Sequence, residues 1–182
     1  EWRRMRPDFT VLKTLVVKGL PMAMHMLVVS GAAVVMISFV NAYGSETAAA
    51  YGAALQLWTY VQMPAMALGA AVSSMAAQNV GAGRMDRVDR VAILGALYAV
   101  AFTGLPILLI YAIEPVAFLL FLPAGSPSTP IALHINSIVL WGFVPFGVAF
   151  VFAGVVRATG AVIAPLLAMV VSLWVVRIPF AH

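Results

Sequence analysis

Four stretches of this chain contain no Asp, Glu, Lys or Arg: Gly19 to Ser45, Thr47 to Gly83, Val91 to Ile113 and Pro115 to Val156. A soluble domain carries roughly 25% charged residues to cover its surface; here charged residues make up 9%. In hydrocarbon the requirement reverses, because a charge at the bilayer centre costs roughly 2.5–3.5 kcal/mol on insertion scales. Each run exceeds the ~20 apolar residues a helix needs to cross a ~30 Å core. Backbone groups in lipid must be satisfied internally, which leaves helices or a closed barrel. Barrel strands alternate apolar and polar residues over ~10 positions. The runs here are continuous and rich in Ala, Leu and Met. The expected fold is therefore all-α, a polytopic transmembrane helix bundle.

The pattern predicts five spans, at about 12–40, 48–80, 88–113, 131–156 and 161–180. The second is long for one crossing, so it must tilt, kink or extend into water. Counting Lys and Arg, the N-terminal segment, residues 1–18, has five and Asn41–Thr47 none. Gly81–Arg90 then has three, Glu114–Pro130 none, and the turn at Arg157 one. This alternation follows the positive-inside rule and puts the N-terminal end of the chain in the cytoplasm. The net charge of +4 lies at helix ends, where an anionic leaflet attracts it, and nucleic acid is not an expected partner. The chain has no Cys, which excludes Cys-based metal or redox sites. The opening Glu1-Trp2-Arg3-Arg4-Met5-Arg6-Pro7 has neither an initiator Met nor a signal-peptide pattern. A start of this kind reads as an internal piece of a longer protein.

Every span has a proline: Pro21, Pro64, Pro106, Pro145 and Pro165. Those at 64, 106 and 145 fall mid-span, where each removes one backbone hydrogen bond. Such breaks serve either as static kinks or as bends in a protein that changes shape. Gly31-Ala32-Ala33, Ala48-Ala49-Ala50, Gly69-Ala70-Ala71 and Gly95-Ala96 let helix backbones approach closely. Gly81-Ala82-Gly83 follows a helix pattern and precedes a basic loop, so it reads as a helix stop.

No His-Glu-x-x-His, P-loop or G-x-S-x-G pattern occurs, and no acid pair lies inside a span. The expectation is a non-enzyme with no catalytic residue, metal or cofactor. Among ionisable residues only His25 falls at depth, one turn past Pro21. It is either a proton-responsive group or a neutral His bonded between helices. Gln56, Tyr60 and one of Met63 or Pro64 share a helix face, which either lines a cavity or supplies interhelical hydrogen bonds. Ten Met and a crowded aromatic segment of Trp141, Phe143, Phe146, Phe150 and Phe152 suit varied apolar ligands or lipid. Glu114 and Arg177 fall at span ends, where neither is expected to be a buried charge.

The ordered motifs are Gly19-Leu20-Pro21 after a basic linker, Gln62-Met63-Pro64, Gln78-Asn79-Val80-Gly81-Ala82-Gly83, Arg157-Ala158-Thr159-Gly160, Pro165, and Arg177-Ile178-Pro179. Together, from about Asp8 onward, they resemble the C-terminal lobe of the multidrug and toxic compound extrusion (MATE) transporters. The resemblance implies secondary active efflux of cationic, aromatic compounds by proton or sodium antiport with alternating access, in a bacterial-type plasma membrane. Residues 1–18 would be the cytoplasmic linker between lobes and residues 19–182 a partial C-terminal lobe, family helices seven to eleven. The partners it implies are small cationic substrates, the lipid bilayer, and the N-terminal lobe and last helix of the same protein. Sodium-coupled NorM-type members carry a glutamate eight residues after the proline of Gly-x-Pro; here that position is Val29. The fourth span lacks a carboxylate as well. The pattern is closer to the DinF-like branch, which implies coupling through residues outside this chain. On this reading His25, Gln56, Tyr60, Phe143 and Phe146 line the substrate path. The competing expectation is a non-transporting scaffold or small five-helix subunit, which explains the apolar spans and small-residue packing but not the mid-span prolines or the motif order.

Overall fold

A computed structural model describes residues 9–181, apart from the side chains of Lys18, Pro115, Phe180 and Ala181. Residues 1–8, the first part of the expected linker, lie outside the described residues. The chain forms α1 (Phe9–Ala42), α2 (Ser45–Gly81), α3 (Met85–Ala112), α4 (Glu114–Phe118) and α5 (Ser128–Val139). A 3₁₀ turn (Leu140–Gly142), α6 (Phe143–Ala158), α7 (Ile163–Val170), a π-helical segment (Val171–Arg177) and α8 (Ile178–Ala181) follow. Among the described residues there is no strand, and the all-α expectation holds. Three helical stretches are long and apolar enough to cross a membrane: Phe9–Ala42, Met85–Ala112 and Ser128–Ala158; Ile163–Arg177 is a shorter apolar helix. At 37 residues α2 is long enough in extent, and its Gln, Asn, Ser and Tyr residues make it the more polar helix.

Several boundaries follow from local chemistry. Helix α1 includes Phe9, so residues 9–18 of the expected linker are helical; no Gly or Pro interrupts them. Gly44 adopts φ +99 between α1 and α2, a conformation that L side chains rarely reach. At the far end of α2, Gly83 has φ +70. There Gly83 N–H donates to Val80 O and Arg84 N–H to Asn79 O at 2.9 Å. This paired capping of the last carbonyls is the Schellman arrangement, and it realises the stop read from Gly81-Ala82-Gly83. Pro21, Pro64 and Pro106 sit inside unbroken helices. Pro145 behaves differently. It has no N–H for the carbonyl of Trp141, four residues earlier, and the chain just before it tightens into the 3₁₀ turn Leu140–Gly142. Pro165 lies in the first turn of α7, where its missing N–H is harmless.

The helices sort into two compact units, one within Glu1–Met36 and Gly160–His182, the other Ile37–Thr159. In the first, Trp174 of the π-helical segment donates its indole N–H to the Val28 carbonyl of α1 at 3.2 Å. Its ring lies against Gly31, and Ala32 is 2% exposed. In the second, α2, α3 and α6 pack on one another through small residues. A Cβ on Gly95 would come within 2.5 Å of Val72 and 3.1 Å of Val151. A Cβ on Gly154 would meet the Gly69 carbonyl at 2.9 Å, and one on Gly147 the Thr103 hydroxyl at 2.8 Å. These helices therefore approach as closely as the glycines permit. Gly69 and Gly95, picked out in the sequence for close approach, do this work.

The segment after α3 departs from the loop expected over 114–130. Glu114–Phe118 is a short helix, and Ala117, Phe118 and Leu122 are buried in the core with Trp58, Val61, Ile107 and Leu140. Apolar residues in a connection bury themselves when a helical turn satisfies their backbone.

Candidate functional site

The larger unit carries a continuous run of ring contacts between α2 and α6. Tyr51 meets Trp58 edge-on, centroids 5.9 Å apart and planes at 85°. Trp58 meets Phe143 at 5.9 Å and 51°, and Phe143 meets Phe146 at 6.2 Å and 86°. Phe146 meets Phe150 at 6.0 Å and 34°, and the Arg157 guanidinium lies over the Phe150 ring, 5.6 Å from its centroid. The helical repeat produces this series: residues 143, 146 and 150 are three and four apart, one face of α6. From Phe143 to Arg157 the face runs about 21 Å along the axis. Gly69 makes room for it, because the Phe150 ring fills the place its side chain would take.

One end of the series is tied to a polar network. The Trp58 indole N–H donates to Asn136 Oδ1 at 3.0 Å. The Asn136 amide N–H donates to Glu114 Oε1 at 2.7 Å. Trp58 is 4% and Asn136 0% exposed, so both buried polar groups are satisfied. An indole nitrogen only donates and a carboxylate only accepts, which fixes the amide with its oxygen toward Trp58 and its nitrogen toward Glu114. Beside this network the Tyr111 hydroxyl donates to the Ser137 carbonyl at 3.0 Å, and the Tyr111 ring stacks on Trp141 at 5.9 Å and 29°.

The five expected site residues fall in three places. Phe143 and Phe146 are neighbours, both half-buried, in the ring series. Gln56 and Tyr60 are also together, the Gln56 amide reaching the Tyr60 hydroxyl at 3.5 Å, and both are exposed. Each is two positions from Trp58, however, which turns it about 160° away from the ring series around α2. The amide on the Trp58 side is Gln62, which donates to the Trp58 carbonyl at 3.3 Å. His25 is half-buried on α1, in the smaller unit.

Two functional candidates escaped the sequence reading. Glu114, expected at a span end and not as a buried charge, is half-buried and hydrogen-bonded to a fully buried amide. Arg157, read as a turn residue, lies over an aromatic ring. Asn136 held a usable signal, since a primary amide in an apolar span must find partners. Nothing in the spacing identified Trp58 and Glu114 as those partners. Among the described residues no group of three His, Cys, Asp or Glu side chains converges as a metal site would require. The arrangement offers aromatic faces for flat or cationic compounds, with an acid near one end and a base at the other. The Arg157–Phe150 pair demonstrates that the rings accept a cation.

Comparison with known proteins bears on what this arrangement serves. The chain is 37% identical over 179 residues to a Bacillus subtilis protein described as probable multidrug resistance protein YoeA, covering 98% of this chain and 38% of that protein. It is 36% identical over 166 residues to the probable multidrug resistance protein YpnP of the same organism, covering 89% of this chain and 36% of the relative. The chain thus spans little more than a third of the length of these curated relatives. No solved structure matches it. The MatE family model matches residues 21–182, nearly the whole chain, and with these apolar helices it identifies a multi-pass membrane protein of a transporter family: the chain belongs to the MatE family.

Proposed function

We propose that this chain is part of the C-terminal lobe of a secondary active exporter of cationic, aromatic drugs. The exporter works by proton or sodium antiport with alternating access. The observation that carries the proposal is the ring series from Trp58 through Phe143, Phe146 and Phe150. A charged drug leaving water loses hydration worth several kcal/mol, and stacked rings return part of that through cation–π contact. Five crossings in a bacterial-type plasma membrane, the N-terminal end cytoplasmic, follow from the Lys and Arg distribution. Residues 1–18 link this lobe to an N-terminal lobe that supplies the second wall of the path and the ion-coupling acid. Val29 stands where sodium-coupled relatives place a carboxylate, and α5 and α6 contain none. Gln56 and Tyr60 form a separate polar surface on the side of α2 away from the rings, and His25 is not required for coupling.

The test is drug resistance and efflux in a sensitive host. The full-length protein is expected to confer resistance to ethidium and to export it until the proton and sodium gradients are both collapsed. The 182-residue chain alone is expected to confer none. Export that persists without either gradient, or resistance from the chain alone, overturns the proposal. Loss of coupling in a folded His25→Ala variant overturns the assignment of coupling to residues outside this chain.

A further inference from the structure

We propose that Glu114 is a seat for the charged group of an organic cation, with Trp141 receiving the attached ring. The inference rests on the efflux reading above and adds a residue and a ligand geometry to it. Glu114 begins α4, with Ile113 alone separating it from the end of α3. Its Oε1 is held by Asn136, whose own orientation is locked by the Trp58 indole. The carboxylate therefore has one defined direction. Among the described residues the Asn136 bond is the hydrogen bond that the Glu114 carboxylate makes, and it has no ion-pair partner there. A half-buried carboxylate with one oxygen committed and no counter-cation is strongly predisposed to bind one.

The surroundings select the kind of cation. A metal ion bound by hard oxygen donors takes several such ligands, and no convergent group of acids or histidines exists among the described residues. The Tyr111 hydroxyl donates to the carbonyl of Ser137, the residue after Asn136, and the Tyr111 ring is stacked on Trp141. Trp141 leaves 57% of its surface uncovered. A planar organic cation meets both features at once, its charge against the free side of the carboxylate and its ring on the indole. The same network joins this seat to Trp58 and hence to the Phe143–Phe146–Phe150 series. Glu114 thereby lies at the acidic end of a path whose other end is Arg157.

The experiment uses the full-length transporter in lipid nanodiscs. Binding of ethidium, a planar monocation, is compared with binding of phenanthridine, its uncharged ring system, each measured by fluorescence. Glu114→Gln is expected to weaken ethidium binding about tenfold, the scale of one lost charged hydrogen bond, and to leave phenanthridine within twofold. Glu114→Asp, which keeps the charge, is expected to restore part of the ethidium affinity. Phenanthridine also reports whether the variants are folded. Unchanged ethidium affinity in Glu114→Gln overturns the proposal, as does an equal loss for both compounds, which would make Glu114 merely structural. Displacement of ethidium by sodium at Glu114 overturns it in favour of an inorganic cation site. If the wild type exports ethidium and Glu114→Gln still binds it normally, the seat fails and the efflux reading stands. If the wild type neither binds nor exports ethidium, both fail.

Discussion

The Phe150 ring of α6 fills the space in which a side chain at Gly69 of α2 would begin. The aromatic surface and the close packing of the bundle are thus one feature. Phe150 is both the last ring of the series and the group that sets the distance between α2 and α6. Residue 69 is buried on both counts, and a methyl group there has no free volume to enter.

Gly69→Ala is accordingly expected to destabilise the protein by about 1–3 kcal/mol through overpacking. Phe150→Ala in the same background is expected to relieve part of the loss, since contacting residues do not act additively. Thermal unfolding of the single and double variants in detergent measures both effects. Equal stability of Gly69→Ala and the wild type would mean that the ring moves aside freely.

Asn136→Leu leaves the Trp58 indole N–H without its acceptor and frees the Glu114 carboxylate. The expected cost is about 1–3 kcal/mol for the stranded buried donor. Trp58→Phe added to it is expected to recover stability, because the donor and its acceptor are then both apolar. Unfolding midpoints test the cycle, and further loss in the double variant would contradict it.

Thr103 is fully buried between α3 and α6, and its hydroxyl has no hydrogen-bond partner among the described residues. Thr103→Val removes that unsatisfied group and is expected to leave stability unchanged or raise it by up to about 1 kcal/mol. A clear loss of stability would reveal a partner that the hydroxyl acquires in another state of the protein.

Phe146→Ala removes the ring between Phe143 and Phe150 without touching a glycine contact. On the efflux reading, ethidium affinity is expected to fall by about 0.5–2 kcal/mol, a factor of roughly 2–30, with expression and folding retained. Equilibrium binding to the full-length protein decides this, and resistance assays in cells give the matching phenotype.

The apolar helices were legible because lipid imposes a one-dimensional rule: a long run either contains charge or does not. Glycine stops were legible for a similar reason, since Gly83 needs only its own backbone freedom and neighbouring carbonyls. Phe143 and Phe146 are three residues apart, which places two rings on one helix face. Gln56 and Tyr60 met the same criterion, yet they lie on the side of α2 away from the rings. Periodicity defines a face of a helix without saying which partner that face meets.

The linear order of charge and apolar residues therefore determined that this is a helical membrane protein, and that α2 stops at Gly81-Ala82-Gly83. Only the folded arrangement decided that Glu114, Asn136 and Trp58 form one bonded network, and that Arg157 sits on Phe150. Those groups come from α2, the α3–α4 junction, α5 and α6, and their meeting depends on how closely helices approach through Gly69, Gly95, Gly147 and Gly154. Helix formation is settled by bonds within a few residues of one another. Contact between distant side chains is settled by packing, which no local pattern encodes.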